Sequence, residues 1–361
     1  MTRARVLIVD DSVVARRAIA RALEGDREIE VVGSLAGARQ ALARIQEEQP
    51  DFIILDVEMP DVSGLQAIPL IRQVAPDARI IMCSALTARG ASITLDALSL
   101  GAADYVTKPT GAADAEEAYR RFRGDLVSKL KGLWRREVLA PRRSASTLPL
   151  RERRLGPSRV DVVAIGASTG GPNALVEILA GLGPSFAVPV LVVQHMPPVF
   201  TRLLAERLAS RTGMRAVEAR DGDDIGGPGV WVAPGDHHMM VARHGSRLVL
   251  RLNQEPAENF CRPAVDALFR SLAPICGPRA LAVVLTGMGQ DGYRGCRDVL
   301  SAGGQVIAQD KGSSVVWGMP GAVVAAGLAD EVAPLSEIAE RILRRVKLGA
   351  EAPPARGARV G

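Results

Sequence analysis

The sequence predicts an α/β protein of two parallel-sheet domains: a doubly wound N-terminal one and, across a linker, a C-terminal one with an antiparallel hairpin. Three observations carry that expectation. Short apolar runs alternate with helical patterns from Val6 onward, the alternation stops near Lys108-Pro109, and a second alternation starts at Val160. Strands alternating with helices imply right-handed crossovers and therefore parallel sheets. A chain of 361 residues is long enough for two or three domains, each with its own core.

In the first domain, Val6–Val9, Phe52–Leu55 and Arg79–Cys83 read as buried strands, with Asp104–Thr107 a shorter candidate. Ser12–Leu23 and Ala38–Glu47 carry the helical period. Ala115–Val138 reads as a charged amphipathic helix, and Pro141–Ser158, which mixes Pro, Ser, Thr, Gly and Arg without a period, as a flexible linker. In the second domain, buried strands are expected at Val160–Ile165, Val188–Val193, Leu281–Leu285 and Gly304–Ile307. Helical patterns lie at Pro172–Leu182 and Leu335–Val346. Val230–Ala233, His238–Ala242 and Arg247–Leu252 are short strands around turn signals and suggest the hairpin. The expected boundaries are 1–125 for the first domain, 126–158 for a helical, Arg-rich linker, 159–347 for the second domain and 348–361 for a disordered tail.

Composition narrows the classes. A hydrophobic content of 47% with 24% charged residues describes a soluble globular protein. The net charge of +5 is concentrated between Arg120 and Arg159, which reads as a solvated linker face rather than a nucleic-acid-binding surface. Cys83, Cys261, Cys276 and Cys296 are scattered, with no CxxC and no Cys/His spacing, so they are expected to be reduced thiols. The first apolar run is too short for a signal peptide, and no run reaches membrane-spanning length. A cytoplasmic monomer that does not insert into membranes is expected.

Asp10 and Asp11 follow the first strand and Asp56 follows Phe52–Leu55, so all three should project from the carboxyl edge of the sheet, where α/β ligands bind. Three converging carboxylates suit a hard cation such as Mg²⁺. Ser84 and Lys108, after two further strand runs, add a hydroxyl and an ammonium to that edge. An Asp-Asp pair alone is usually a turn or a helix cap. Four strand ends each delivering a group suited to phosphoryl transfer point to a site.

Val9-Asp10-Asp11-Ser12, Leu55-Asp56-Val57-Glu58-Met59-Pro60, Ser84-Ala85-Leu86-Thr87 and Thr107-Lys108-Pro109 resemble the signature set of response-regulator receiver domains, over about residues 4–125. The resemblance implies that Asp56 is the phosphoacceptor. It implies that Asp10, Asp11, Asp56 and the backbone carbonyl of Glu58 hold Mg²⁺. Ser84 would be the switch hydroxyl, and Lys108 would pair with the phosphoryl group.

In the second domain, Gly166-Ala167-Ser168-Thr169-Gly170-Gly171 lies between a strand and a helical pattern, the context of a nucleophile elbow. A phosphate-binding loop would use the same glycines, and on this motif alone both readings stand. A serine nucleophile needs a base, and His195 directly follows the Val188–Val193 strand. His237, His238 and His244 lie in the hairpin and its turns, where surface or turn roles are expected. The third member should be a buried carboxylate. Asp291, in the glycine-rich Thr286–Gly292 stretch after Leu281–Leu285, is the candidate, with a simple Asp-Gly turn as the alternative. The order Ser168, His195, Asp291 differs from that of α/β-hydrolases, so a different hydrolase fold is expected.

Those motifs, with Gln194-His195-Met196-Pro197, Pro234-Gly235-Asp236-His237-His238-Met239, Arg262-Pro263-Ala264-Val265-Asp266 and Gly318-Met319-Pro320, resemble the catalytic domain of chemotaxis protein-glutamate methylesterases of the CheB type, over about residues 160–346. The resemblance implies a serine hydrolase that demethylates glutamate γ-methyl esters, and deamidates glutamines, on methyl-accepting chemoreceptors. Thr169 and Met288 would line its oxyanion region, and no cofactor would be needed in that domain. A chemotaxis histidine kinase would phosphorylate the receiver and relieve its block of the esterase cleft. One position departs from the pattern: Cys261 stands where many relatives have histidine. The other readings are a DNA-binding response regulator, for which no helix-turn-helix pattern follows the linker, and a catalytically silent regulator.

Overall fold

The computed structural model describes residues 3–60, 62–109, 115–138 and 159–350. The expected linker at Pro141–Ser158 and residues 351–361 of the expected tail lie outside them, whereas residues 348–350 of that tail are helical rather than disordered. The chain divides into two compact units, Met1–Ser144 and Ala145–Gly361.

The first unit runs β1 (Ala4–Val9), α1 (Val13–Leu23), β2 (Ile29–Leu35), α2 (Ala38–Glu48), β3 (Phe52–Asp56), α3 (Gly64–Val74), β4 (Arg79–Ser84), α4 (Ala88–Ser99), β5 (Asp104–Thr107) and α5 (Ala115–Val138). The five strands are parallel in the order β2-β1-β3-β4-β5, a doubly wound sheet whose switch point lies between β1 and β3. Central β3 is buried at every position, which is why its apolar run stands out, whereas edge strand β2 is mostly half-buried or exposed and has no such run. Helix starts follow local chemistry. Ser12 Oγ accepts from the Ala15 N–H ahead of α1, and Ser63 and Gln66 form a capping box ahead of α3.

Helix α5 belongs to this unit along its described length. Leu126, Leu130 and Leu133 are buried, and Trp134 packs its ring 6.3 Å from that of Phe52. Residues 126–134, placed with the linker by sequence reading, are therefore packed helix, and the helix runs on to Val138. Part of the basic run is likewise not a solvated face: Lys129 lies 3.6 Å from Asp104 and 3.2 Å from Asp125, and Lys131 lies 2.8 Å from Asp26.

The second unit runs β6 (Val162–Ala167), α6 (Gly171–Leu182), β7 (Val190–Gln194), α7 (Phe200–Thr212), β8 (Ala216–Glu218), β9 (Val230–Val232), β10 (His238–His244), β11 (Arg247–Asn253), α8 (Val265–Cys276), β12 (Ala280–Val284), α9 (Tyr293–Ser301), β13 (Gln305–Gln309), α10 (Met319–Ala325), β14 (Glu331–Ala333) and α11 (Leu335–Ala350). Seven parallel strands lie in the order β14-β13-β12-β6-β7-β9-β8, and β10 and β11 form a separate antiparallel pair. Val230–Ala233, grouped with the hairpin by sequence reading, instead contributes β9 to the main sheet, paired parallel to β7 and β8. Helix α8 packs over the sheet, and its Leu268, Phe269 and Leu272 are buried with Trp231, Met239 and Leu250 in one apolar core. Burial of that size is the main stabilising contribution available to such a unit.

Candidate active site

From β6 the chain winds outward to one side of the second sheet, then returns to lay β12 against the other side of β6. Open α/β sheets bind ligands at the carboxyl edge of such a reversal. Ser168 follows β6, His195 follows β7, and Asp291 lies in the loop between β12 and α9. The three candidate residues thus occupy the ends of three adjacent strands.

Ser168 sits in a turn held from its neighbours. Its N–H donates to the Thr286 carbonyl at 3.0 Å, and its own carbonyl accepts from the Gly171 N–H at 2.7 Å and Gln194 Nε2 at 2.9 Å. Gly170, at φ 80°, is the left-handed residue of the turn, while Ser168 itself is not left-handed. A Cβ on Gly171 would lie 2.0 Å from Gln194 Oε1 and 2.8 Å from Ala167 Cβ, so a larger residue there would displace the Gln194 amide that holds the turn. The Ser168 hydroxyl is half-buried and makes no hydrogen bond among the described residues. Nucleophile–base bonds are commonly loose until a substrate is seated.

His195 and Asp291 do meet, with Nε2 and Oδ2 2.8 Å apart. Asp291 is buried, and its carboxylate also accepts from the backbone N–H groups of Val265 at 2.6 Å, Asp266 at 3.0 Å and Gly292 at 2.9 Å. Two of these donors are the first residues of α8, whose dipole favours negative charge there. Burial pushes the Asp291 pKa up, but the His195 contact and the backbone donors outweigh it and hold the carboxyl below its ordinary value. Burial likewise disfavours the His195 imidazolium. The neighbouring Cys261 and Asp291 more than reverse that and raise its pKa to about 10.

Sequence reading missed Asn259. Its Nδ2 donates to Asp291 Oδ1 and Asp266 Oδ2, both at 3.0 Å. It sits in a tight turn in which Glu258 and Cys261 exchange backbone hydrogen bonds of 3.1 and 2.8 Å. Asn259 and Phe260 are both left-handed, at φ 51° and 64°. Asparagine visits that region readily, whereas for a bulky residue it costs roughly 1–2 kcal/mol. Gln194 and Thr286 were missed as supports too. Beyond accepting from Ser168, Thr286 donates its N–H to Gln309 Oε1 at 2.8 Å and its Oγ1 to the Thr169 carbonyl at 2.9 Å.

His238, expected in a surface or turn role, is buried instead. It bridges Pro256 O at 3.1 Å and the Ala264 N–H at 3.2 Å, pinning both ends of the segment that contains Asn259. His237 is half-buried beside Gly235, and His244 is exposed at the end of β10. Arg262 is fixed by Asp236 at 2.6 Å and by the carbonyls of Gln254 and Glu255, both at 3.0 Å. For the oxyanion candidates, Thr169 is buried, and the Met288 N–H has no partner among the described residues. The backbone before Met288 runs against the serine: a Cβ on Gly287 would lie 2.8 Å from Ser168 Cβ.

At the switch point of the first sheet, Lys108 Nζ lies 2.7 Å from Asp10 Oδ2 and 2.8 Å from Asp56 Oδ1. Burial raises the Asp56 pKa, with repulsion from Asp10 adding to it and Lys108 opposing it. Burial disfavours the Lys108 charge, but Asp10 and Asp56 outweigh it and raise its pKa. Asp10, Asp11 and Asp56 can offer oxygens all within 4.8 Å of one another. Asp11 and Asp56 border a cleft of about 330 Å³ that Glu58, Ser84, Thr87 and Lys108 also line, with Asp10 buried beneath it. An all-oxygen set opening on a wet cleft fits Mg²⁺, which keeps several of its waters.

The two folds and their sites define a class: a receiver domain joined to a hydrolase domain built on a second parallel sheet. Residues 6–120 match the response regulator receiver domain, and residues 163–342 match the CheB methylesterase domain. A protein-glutamate methylesterase/protein-glutamine glutaminase of Trichodesmium erythraeum is 48% identical over 96% of this chain and all of its own. One of Azospirillum brasilense is 47% identical over 92% of this chain and 90% of its own. The crystal structure of the Thermotoga maritima CheB methylesterase catalytic domain, 42% identical, superposes with a TM-score of 0.50 over 51% of this chain and 98% of that one. The chain belongs to the CheB family of protein-glutamate methylesterases/protein-glutamine glutaminases.

Proposed function

We propose that Ser168, His195 and Asp291 carry the chemistry of this methylesterase and glutaminase, and that Asp56 carries its control. The observation that most supports the reading is the 2.8 Å His195–Asp291 bond at the end of the strand next to that of Ser168. In its neutral form His195 accepts the Ser168 proton as Oγ attacks the carbonyl of a glutamate γ-methyl ester. N–H groups of Met288 and Thr169 receive the oxyanion. His195 returns the proton to the leaving oxygen and methanol departs; a glutamine amide loses ammonia by the same steps. Water, deprotonated by His195, then attacks the acyl-enzyme, freeing Ser168 and the glutamate carboxylate. Asp291 keeps the imidazole oriented and stabilises its charged form.

In the receiver, Asp56 accepts the phosphoryl group from a chemotaxis histidine kinase. Asp10, Asp11, Asp56 and the Glu58 carbonyl would hold Mg²⁺, which would offset negative charge during transfer. Lys108 pairs with the phosphoryl oxygens, and Ser84 is the switch hydroxyl. The substrates are methyl-accepting chemoreceptors. We assign residues 1–125 with the rest of α5 to control, and 159–347 to catalysis. No helix among the described residues is long and apolar enough to cross a membrane, and the four cysteines are unpaired, in keeping with a place in the cytoplasm. Methanol release from methylated receptor membranes tests the reading. Ser168→Ala is expected to lower turnover about 10⁶-fold with the fold intact, and near-normal release by that variant would refute it.

A further inference from the structure

Phe260 is fully exposed, at 104% relative accessibility, and it is left-handed at φ 64°. Of the six phenylalanines, the other five (Phe52, Phe122, Phe186, Phe200 and Phe269) are all buried. Single exposed apolar residues are ordinary, but this one is held out by its surroundings. On one side Asn259 is hydrogen-bonded to Asp291 at 3.0 Å, and Asp291 in turn to His195 at 2.8 Å. His238 and the Glu258–Cys261 hydrogen bonds pin the segment further. The backbone that carries the ring is therefore fixed by a turn tied to the candidate catalytic carboxylate. Strained backbone that is fixed from several directions is typical of ligand-contacting positions.

We propose that Phe260 is a substrate-recognition residue, whose ring packs on an apolar side chain of the polypeptide segment that carries the methyl ester. The inference rests on the proposed methylesterase reading. The occupant follows from place: a protein-borne ester that reaches Ser168 and His195 brings its flanking residues toward the turn tied to Asp291, the partner of His195. An aromatic ring offers large contact area at low entropic cost, the character of residues that dominate interfaces. The segment recognised is therefore amphipathic, with an apolar residue near the reacting glutamate.

The test uses the full-length, phosphorylated chain. It compares methanol release from methylated receptor membranes with hydrolysis of a small activated ester that has no polypeptide. Phe260→Ala is expected to raise KM for receptor about tenfold with kcat within about twofold, lowering the receptor-to-small-ester ratio of kcat/KM about tenfold; a tenfold change is about 1.4 kcal/mol. Phe260→Trp, which keeps an aromatic face, is expected to restore most of the loss. Equal losses on both esters, or no rescue by tryptophan, would make Phe260 a structural residue and overturn the proposal. Unchanged KM with raised activity before phosphorylation would overturn it in favour of an occupant within the chain. No methanol release by the wild-type protein would remove the methylesterase reading and this inference together. Wild-type release with an unchanged KM in Phe260→Ala would remove this inference alone.

Discussion

At the scale of single residues, the candidate site depends on supports as much as on the triad. Asn259 gives Asp291 one of its donors, and does so from a left-handed backbone. Asn259→Gly keeps that backbone accessible and removes only the amide. Its bonds to Asp291 and Asp266 are both lost; the one to Asp291, about 1.5 kcal/mol or more for a bond to a charged group, is expected to lower kcat/KM for methanol release about tenfold. Asn259→Ala adds backbone strain and should also lower the melting temperature relative to the glycine variant. A second expectation concerns pH. His195 acts as a base only when neutral, and its pKa lies near 10 because Cys261 and Asp291 favour the charged form against burial. The kcat/KM of the wild-type enzyme should therefore climb with pH through the neutral range. Cys261→Ala removes one favouring contact, lowers the His195 pKa and moves the rising limb toward acid, which a pH–rate profile measures. The same raised pKa adds stability that is fully present below the ordinary histidine value of about 6.5. That contribution fades as pH rises toward about 10.

Among the elements, α8 matters most to the site, because its first N–H groups hold Asp291. Gly166 at the end of β6 sets how closely that helix approaches. A Cβ there would lie 2.4 Å from Val265 Cγ1. Gly166→Ala is expected to push the start of α8 outward, at an overpacking cost of about 1–3 kcal/mol read by chemical denaturation. Esterase activity should fall more steeply than stability, since Val265 donates directly to the carboxylate. Elements also differ in how legible they were. Buried β3, β6, β7 and β12 announce themselves as apolar runs, and the polar residues after them mark the site. Edge strands β2, β8 and β14 were missed, being half exposed or only three residues long. Val230–Val232 was read as a strand but given the wrong partners, since neighbours in sequence suggested the hairpin while pairing joined it to β7 and β8.

For the whole molecule, control by phosphorylation requires that the modified Asp56 favour one arrangement of the chain over another. A small-molecule phosphodonor with Mg²⁺ is expected to phosphorylate Asp56 and raise methanol release, and Asp56→Asn should abolish the rise. Residues 159–361 alone should have elevated, phosphate-independent activity, as occlusion by the receiver requires. A fragment no more active than the unphosphorylated full-length protein would point instead to positive allostery.

Sequence alone was enough to nominate Asp10, Asp11, Asp56, Ser84 and Lys108, and Ser168, His195 and Asp291. Each of these follows or closes a buried strand or a glycine-rich loop, and local periodicity encodes that context. Only the tertiary structure decided which strand ends are neighbours. His195 and Asp291 are 96 residues apart in sequence yet 2.8 Å apart in space, because β12 pairs with β6 rather than extending the sheet beyond β8. Asn259, Gln194, Thr286 and the start of α8 were illegible for the same reason. Their roles come from partners that meet only when the sheet and its helices bury their apolar faces together, and no local pattern records that choice.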